Sequence, residues 1–338
     1  MKKGGVTVVI GGQFGSEAKG KVISFLASEY DVAVRTGSPN AGHTVVKDGE
    51  IYRLQQIPAT FLNKNCILYI GAGALIQQDI LEREVERTQT KDRLFIDPQA
   101  GIIEEKHAQQ EGELVKNIGS TGKGCGAALI DRIWRKDFKL AKDVLGHLQI
   151  ADVAQVVNTA IDEGGNILLE GTQGFGLSLY HGTYPFVTSR DTTAANFLAE
   201  AGLSPLLVKE IILVIRTFPI RVAGNSGPLP HEITWQDLSE RMGRKVEEIT
   251  TVTKKIRRVG EFDEEIVKRA ILLNRPTQIA LQFLNYLFPQ DKDKSSWEDL
   301  SNEAQSYIEN LERELRVPIT LIGTGEEFSA MIDRRKNV

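Results

Sequence analysis

A glycine-rich segment near the start of the chain carries residue types that bind phosphate. Residues 11–21 read Gly-Gly-Gln-Phe-Gly-Ser-Glu-Ala-Lys-Gly-Lys and follow an apolar run at 6–10. Glycines let the backbone fold closely around an anion, and a helix beginning near Gly20 would direct free N–H groups at it. Most of a P-loop pattern is present, but Val22 stands where a serine or threonine would reach magnesium. The segment predicts a nucleoside triphosphate site of a non-standard kind, and the alternative is a tight turn before a helix.

The composition limits the classes of partner. The 338 residues are 41% apolar and 25% charged, with a formal net charge of -4, which argues against nucleic acid as the main partner. Cys66 and Cys125 form neither a disulfide framework nor a metal-binding spacing, which fits a reducing cytoplasm. The first apolar run is too short and too early for a signal peptide or a membrane span. We therefore expect a cytoplasmic protein without a membrane partner.

Short apolar runs recur along the whole chain. They are typical of strands buried on both faces of a mainly parallel sheet, and they lie at 6–10, 32–34, 66–70, 167–169, 211–215, 279–283 and 319–322. Helical patterns alternate with them at 19–29, 76–88, 144–163 and 295–316, the last opening with a serine cap. These patterns predict an α/β fold with flanking helices, forming a single catalytic domain over residues 1–338. Segments 112–137 and 217–263 are predicted to be long functional loops, mobile until ligands order them.

Several further motifs follow the phosphate segment in a fixed order. Asn-Ala-Gly-His-Thr occupies 40–44, and the other motifs lie at 119–124, 170–174, 181–189, 257–263 and 323–325. In these motifs the sequence resembles the adenylosuccinate synthetase family, ligases that join aspartate to C6 of a purine nucleotide. The resemblance covers nearly the whole chain. It implies magnesium as the cofactor and a homodimer as the active form.

The resemblance also implies roles for individual residues. His43 would be the general acid, Lys19 would neutralise the transferring phosphoryl group, and Ser16 and Glu17 would complete the catalytic set. The purine monophosphate would be held by Ser16, Asn40, Thr121, Arg135, Gln173, Leu177, Thr188 and Val222, with Arg135 acting across the dimer interface. The triphosphate would contact Gly15, Glu17, Ala18, Lys19, Gly20, Gly42, His43, Thr44, Gln282, Asn285, Gly323, Thr324 and Gly325. Aspartate would bind Val252, Thr253, Lys255 and Arg257, and the metal would bind Ser16 and Gly42. Taken alone, His43 is more often a capping residue and Arg135 a solvated charge.

Ser16 is the largest departure from the family pattern. The family has an aspartate there, which removes the N1 proton of hypoxanthine and binds magnesium, whereas a serine hydroxyl is a poor base. A small hydroxyl leaves room beside N1, where guanine carries its 2-amino group. A phage-borne branch of the family has such a substitution and makes 2-aminoadenylosuccinate from dGMP and aspartate. This sequence resembles that branch in the serine and in its short chain. It also resembles the branch in Lys255, which stands where the family has an arginine near the ribose. Ser16 is expected to position the base, with Glu17 as a nearby candidate for the proton acceptor.

The segment 282–285 bears on the phosphate donor. Ordinary members of the family use GTP and hold guanine with an aspartate, where this sequence has Asn285. An amide can donate to N1 of adenine and accept from its 6-amino group, which predicts ATP or dATP as the donor. Three functions are weighed: a dGMP ligase that uses ATP or dATP, a conventional ligase that uses IMP and GTP, and a non-catalytic nucleotide-binding dimer.

Overall fold

The computed structural model describes residues 4–249 and 255–336, and its main feature is one large sheet. The strands are β1 (Gly5–Gly11), β2 (Val32–Arg35), β3 (His43–Lys47), β4 (Glu50–Leu54), β5 (Ile67–Ile70), β6 (Leu75–Ile76), β7 (Leu94–Ile96), β8 (Gly101–Ile102), β9 (Gln149–Ile150), β10 (Asn166–Glu170), β11 (Val208–Arg216), β12 (Ile220–Arg221), β13 (Glu232–Ile233), β14 (Arg258–Gly260), β15 (Gln278–Gln282), β16 (Ile319–Gly323) and β17 (Met331–Asp333). In the described ranges the large sheet has the order β17-β16-β15-β11-β1-β10-β2-β5-β7-β9. Its neighbouring strands are parallel except β16 and β17. The predicted α/β class with a mainly parallel sheet is confirmed.

Helices cover both faces of the large sheet. They are α1 (Lys19–Leu26), α2 (Gln78–Thr88), α3 (Glu105–Gln110), α4 (Gly112–Ile118), α5 (Cys125–Trp134), α6 (Ala141–Val144), α7 (Val153–Asp162), α8 (Ala194–Ala201), α9 (Trp235–Met242), α10 (Glu264–Asn274), α11 (Leu284–Leu287) and α12 (Asn302–Leu315). Because side chains alternate along a strand, Val8 and Val9 of β1 belong to different apolar clusters. The cluster of Val8 includes residues of α7, α8, α10 and α12, and the cluster of Val9 includes residues of α1 and α2. None of the helices in residues 4–249 and 255–336 is both long and apolar enough to cross a membrane.

The carboxyl edge of the sheet collects the polar residues that end the apolar strands. Parallel strands end at the same edge, so motifs that are far apart in sequence become neighbours there. The last residues of β1, β2, β10, β11, β15 and β16 are Gly11, Arg35, Glu170, Arg216, Gln282 and Gly323. Strands β1, β2, β10 and β16 thus end at this edge, at or shortly before the start of the motifs at 11–21, 40–44, 170–174 and 323–325.

Two predicted loops are in fact folded. Most of the segment 112–137 is helical, as α4 and α5, joined through glycines 119, 122 and 124, which all have positive φ. The segment 217–263 contains the antiparallel sheet β12-β14-β13 and helix α9, around a small apolar cluster that includes Phe218, Leu238 and Val259. Sequence periodicity missed the strands of the second segment because they are only two or three residues long.

Two helix predictions also need correction. The pattern at 144–163 predicted one helix, but α6 ends at Val144 and β9 intervenes before α7 begins at Val153. The predicted helix 295–316 begins only at Asn302, where the side chain of Ser301 accepts a hydrogen bond from the N–H of Ala304. The predicted serine cap therefore exists, but at a later serine, because Ser301 is the one that satisfies the first turn.

Candidate active site

The phosphate segment forms a strained turn between β1 and α1. Gly15, Ser16 and Ala18 have φ of 89°, 61° and 66°, in the left-handed region that non-glycine residues rarely occupy. Such a turn directs successive N–H groups inward, and Ala18 is the cap from which α1 begins. The predicted arrangement of strand, glycine-rich turn and helix N-terminus is therefore present, and binding of an anion there stays a prediction.

Glu17 is fully buried inside this turn. Its Oε1 accepts hydrogen bonds from the N–H groups of Gln13 at 3.1 Å and Gly15 at 2.8 Å, and its Oε2 lies 2.8 Å from Nζ of Lys19. A side chain at Gly174 would place its Cβ 2.2 Å from the N of Gly15, so only glycine fits against the turn. Glu17 thus fastens the turn and holds Lys19. These contacts favour a positioning role over the predicted role of proton acceptor.

His43 belongs to a buried group of charges that we name the histidine cluster: His43, Glu170 and Arg35. The Oε1 of Glu170 lies 2.6 Å from Nδ1 of His43 and 2.6 Å from Nη1 of Arg35. Its Oε2 accepts from the N–H of Ala59 at 2.7 Å. Since Arg35 and Glu170 are paired in register on β2 and β10, the sheet itself fixes their separation.

The histidine cluster sets the protonation of His43. Burial, reinforced by the charge of Arg35, lowers the pKa of His43 to about 4, although Glu170 acts in the opposite direction. The neutral ring donates its Nδ1 proton to the carboxylate of Glu170, which leaves Nε2 as the free nitrogen. Nε2 is buried and has no hydrogen-bond partner among the described residues. An anion bound beside it would favour the protonated ring.

Close backbone packing brings His43 to the phosphate segment. A side chain at Gly20 would place its Cβ 2.9 Å from the carbonyl oxygen of Thr44 and 3.0 Å from Cβ of His43. Because Gly20 has no side chain, α1 can lie directly against β3. The predicted triphosphate residues Gly20, His43 and Thr44 are therefore adjacent.

A cavity of about 540 Å³ opens beside the phosphate segment. Asn40 and Thr188 face each other across part of it, with Nδ2 of the first 3.4 Å from Oγ1 of the second. The predicted site residues that line it are Gly15, Ser16, Lys19, Asn40, Gly42, His43, Thr121, Gln173, Leu177, Thr188, Val222 and Arg257. Residues predicted for the purine monophosphate, the transferring phosphate and the aspartate thus share one cavity, large enough for a small ligand.

Ser16 and Arg257 meet within this cavity. Nη1 of Arg257 donates a hydrogen bond to Oγ of Ser16. A serine at this position accepts that bond without neutralising the guanidinium, whereas an aspartate would form an ion pair with it. The positive charge of Arg257 therefore remains available to a carboxylate ligand.

Some predicted residues do not line the cavity. Arg135 is exposed at the end of α5, and Lys255 is exposed near the start of the second described range. Val252 and Thr253 lie outside the described residues. The cavity thus contains one member, Arg257, of the four predicted aspartate contacts.

The predicted donor-base residues form a separate group at the carboxyl ends of β15 and β16. Gln282 is buried against Gly323, since a Cβ there would lie 2.0 Å from Oε1 of Gln282, and Asn285 is buried in α11. Thr324 donates from Oγ1 to the carbonyl of Lys294 at 2.6 Å. The carbonyl oxygen of Gly325 accepts a hydrogen bond from Nζ of Lys21 at 2.6 Å, which connects this group of residues to α1. The residues are brought together, but outside the cavity described above.

Several residues of the site received no role in the sequence analysis. Glu170 opens the motif at 170–174 without an assigned role, and Arg35 and Arg216 belong to no motif. All three end an apolar strand, and that position at a parallel sheet edge is a signal that could have identified their roles. Glu111 gives no such signal. Its carboxylate lines the cavity and accepts from the N–H groups of Gly124 at 2.8 Å and Gly126 at 2.6 Å, which holds the start of α5.

Comparison with known proteins identifies the family. A family model described as adenylosuccinate synthetase matches residues 8–147 and 140–292. The adenylosuccinate synthetase of Methanosphaera stadtmanae is 43% identical over 339 residues, covering 97% of this chain and 98% of the relative. That of Methanocaldococcus jannaschii is 43% identical over 346 residues, covering 98% and 97%. The chain belongs to the adenylosuccinate synthetase family.

Two solved structures have the same fold. The fully ligated adenylosuccinate synthetase of Plasmodium falciparum superposes with a TM-score of 0.88 at 24% identity, covering 98% of this chain and 100% of that chain. The succinoaminodeoxyadenylate synthetase of cyanophage S-2L, solved with dGMP and with dATP as energy donor, has a TM-score of 0.84 at 27% identity, covering 98% and 96%. As a family member, the chain is a ligase that forms a C–N bond between a purine nucleotide and aspartate.

Proposed function

We propose that this ligase joins L-aspartate to C6 of dGMP, using ATP or dATP, to give 2-amino-2'-deoxyadenylosuccinate, the nucleoside diphosphate and phosphate. The observation that carries the proposal is Ser16 in the cavity, where the family pattern has an aspartate. The product is the precursor of a 2-aminoadenine nucleotide for DNA. The S-2L protein, which was solved with dGMP and dATP, supports this choice as a structural relative.

The chemistry of position 16 supports a guanine substrate. A carboxylate beside N1 would crowd a group at C2, while a serine hydroxyl is smaller and leaves room for it. Oγ of Ser16 already accepts a hydrogen bond from Arg257, so it contributes neither a base nor a charge. We therefore assign Ser16 the role of admitting and orienting the base, with the exocyclic 2-amino group in the space that it leaves.

The reaction has two steps. In the first, the γ-phosphoryl group passes to O6 of the purine as its bond to the β-phosphate oxygen of the donor breaks, and the N1 proton passes to solvent water. In the second, the aspartate amine attacks C6 and gives up a proton to water, and the C6–O6 bond breaks with release of phosphate. Lys19, which lines the cavity and is held by Glu17, offsets the negative charge of the phosphoryl group in the first step.

His43 is assigned to the departing oxygens. Because Glu170 holds Nδ1, Nε2 is the nitrogen that can hydrogen-bond to the phosphoryl group. Burial and the charge of Arg35 keep His43 neutral, with a pKa of about 4. The negative charge of a bound phosphoryl group raises that pKa, so the proton is acquired when the substrate is present and is donated as the oxygen leaves.

The donor-base edge supports ATP or dATP. Asn285 offers one amide donor and one acceptor, which complement N1 and the 6-amino group of adenine. Guanine presents two donors on that edge and needs two acceptors, as a carboxylate would provide.

Magnesium fits this site only in part. Gly42 lines the cavity and offers a backbone carbonyl, a ligand type that magnesium accepts alongside substrate phosphates. Ser16 offers a hydroxyl that is bound to Arg257, and no group of three or more His, Cys, Asp or Glu side chains able to hold a metal occurs in the described ranges. We therefore propose Gly42 as the protein ligand, with the donor's phosphates supplying the charge. Bound magnesium would neutralise those phosphates.

A homodimer is proposed from the surface of α5. Ile130, Ile133 and Trp134 are 56%, 62% and 65% exposed, an apolar surface that a monomer would leave in water. Arg135 directly follows them and is exposed as well. Burying this surface in a second copy would carry Arg135 toward the partner's purine monophosphate.

A conventional IMP ligase is the second candidate. It is favoured by the archaeal relatives, which are named adenylosuccinate synthetases and cover nearly the whole chain. The third candidate, a non-catalytic dimer, is opposed by the presence of Lys19 and His43 in the cavity.

Substrate assays decide between these candidates. The purified protein is given IMP, GMP or dGMP, each with ATP, dATP or GTP, together with magnesium and aspartate, and phosphate release is followed. The proposal expects turnover with dGMP and an adenine donor. Turnover with IMP and GTP but none with dGMP would overturn it in favour of the conventional ligase, and binding of nucleotides without turnover would favour the third candidate.

A further inference from the structure

A second group of charges, of which Arg216 is buried and the other two are partly buried, connects the phosphate segment to the cavity's arginine, and we name it the arginine bridge: Arg216, Glu248 and Arg257. Arg216 ends β11 and is fully buried. Its Nη1 donates to the carbonyl oxygen of Ser16 at 2.9 Å. The side chain of Gln13 bonds the main chain of Arg216 at both N and O, at 2.9 and 3.1 Å. Arg216 is thus fixed to the phosphate segment independently of the other two members.

Glu248 is the middle member of the arginine bridge. Its carboxylate accepts from both terminal nitrogens of Arg216, one of them at 3.3 Å, and from the hydroxyl of Tyr286 at 3.2 Å. Burial alone would raise the pKa of Glu248, but the charges of Arg216 and Arg257 hold it below the ordinary value. Glu248 is therefore ionised, and its position is set by a forked ion pair.

The main chain of Glu248 also holds the main chain of Arg257 in place. Its carbonyl oxygen accepts from the N–H of Arg257 at 2.9 Å, and Ile249 and Ile256 form an antiparallel bridge next to this bond. Arg257 reaches the cavity, where its Nη1 donates to Oγ of Ser16. Its Nε is buried and has no partner among the described residues, so it remains available to a ligand.

We propose that Glu248 is a positioning residue for aspartate: anchored by Arg216, it fixes the guanidinium of Arg257 in the cavity. A dicarboxylate needs planar donors that are held in a fixed position. Arg257 lies one residue before β14, which begins at Arg258, so the strand does not hold it. Its position is set instead by Glu248. The inference rests on the proposed function only in taking aspartate as the ligand of Arg257. It holds whichever purine monophosphate the enzyme uses.

The test is the Glu248→Gln variant, assayed with the purine monophosphate and donor that the unaltered enzyme converts best. Glutamine keeps the size but loses the charge that pairs with Arg216. We expect the KM for aspartate to rise by at least about tenfold, while the KM of each nucleotide changes by less than about threefold. Glu248→Asp, which keeps the charge on a shorter side chain, should recover part of the loss.

The matched control is Glu261→Gln, which removes an ion pair with Arg241 in the same part of the chain. That pair is exposed, at 37% and 51% for the two side chains, so its loss should change no KM by more than about twofold. A general structural role for Glu248 would instead lower the active fraction and the apparent kcat and leave the aspartate KM unchanged. That outcome, or an equal rise in all three KM values, overturns the proposal.

A milder variant covers the case in which Glu248→Gln does not fold. Tyr286→Phe removes one hydrogen bond from the carboxylate of Glu248 and leaves the ion pair intact. The aspartate KM should then rise by about two- to fivefold, since one hydrogen bond to a charged group is lost. An aspartate KM identical to that of the unaltered enzyme contradicts the positioning role.

Discussion

The histidine cluster, which is buried, and the arginine bridge, which is partly buried, are two groups of charges beside the same cavity, but they are held in different ways. Arg35 and Glu170 of the histidine cluster lie on paired strands, in register. The arginine bridge joins the sheet residue Arg216 to Glu248 and Arg257, which lie outside the large sheet. The sheet holds the histidine cluster rigidly, which suits a group that must keep a proton at a constant position. The arginine bridge is held by side-chain pairing, which suits a group that contacts a substrate. The first should therefore govern kcat and stability, and the second substrate affinity.

The largest effect is expected for His43→Asn. Asparagine keeps a polar group of similar reach but cannot supply a proton, so kcat should fall by about a thousandfold with little change in any KM. Steady-state kinetics with saturating nucleotides measures this. His147→Asn serves as the control, because His147 is exposed and forms an exposed ion pair with Glu82. A loss confined to KM would mean that His43 binds substrate rather than acting as an acid.

Removing the carboxylate of the histidine cluster should destabilise the fold. Glu170→Gln leaves Arg35 as a buried charge without its ion pair, and the free energy of unfolding should fall by about 3 kcal/mol. Urea denaturation of the two proteins gives the difference. The exposed control Glu261→Gln should cost less than about 1 kcal/mol. Equal costs for the two variants would contradict the distinction between buried and exposed pairs.

The histidine cluster also predicts a pH dependence of stability. Folding lowers the pKa of His43 from 6.5 to about 4, so below pH 6.5 the unfolded chain binds a proton that the folded protein does not. The free energy of unfolding should therefore fall by about 2 kcal/mol between pH 6.5 and 4.5 and level off below pH 4 for this group. Denaturation at a series of pH values shows whether His43→Asn removes this decline. Glu170, whose pKa is also lowered, contributes only below its ordinary value of 4.5.

A smaller effect is expected at the arginine bridge from Arg257→Lys. Lysine keeps the charge but not the planar pair of donors, so the aspartate KM should rise by about tenfold and kcat should change by less than about threefold. Initial rates at varied aspartate concentration test this. A fall in kcat as large as that of His43→Asn would contradict the claim that the histidine cluster governs kcat and the arginine bridge governs the affinity for aspartate.

The sequence predicted the large sheet well because its strands are buried on both faces. Seven apolar runs became strands of one sheet, and the glycine segment after the first of them became the strained turn at Ser16. Gly20 was predicted only as a phosphate residue. Its packing against His43 depends on a contact between segments, which the sequence pattern does not report.

The remaining parts depend on pairings between distant residues. Arg216 and Glu248 are 32 positions apart, and neither belongs to a motif quoted for the family. The strands β12, β13 and β14 are too short to show an alternating pattern, so their segment resembled a loop. Glu17 was predicted as a candidate base because of its position in the chain, and only the three-dimensional contacts of its carboxylate favour a positioning role.

The central claim is that Ser16 selects the purine, and the Ser16→Asp variant tests it most directly. The measurement is the ratio of kcat/KM for dGMP to that for IMP, each with the best donor, in the two proteins. The account predicts that aspartate lowers this ratio by at least about a hundredfold, because its carboxylate excludes the 2-amino group and supplies a base for hypoxanthine. A ratio that is the same in both proteins would contradict the account.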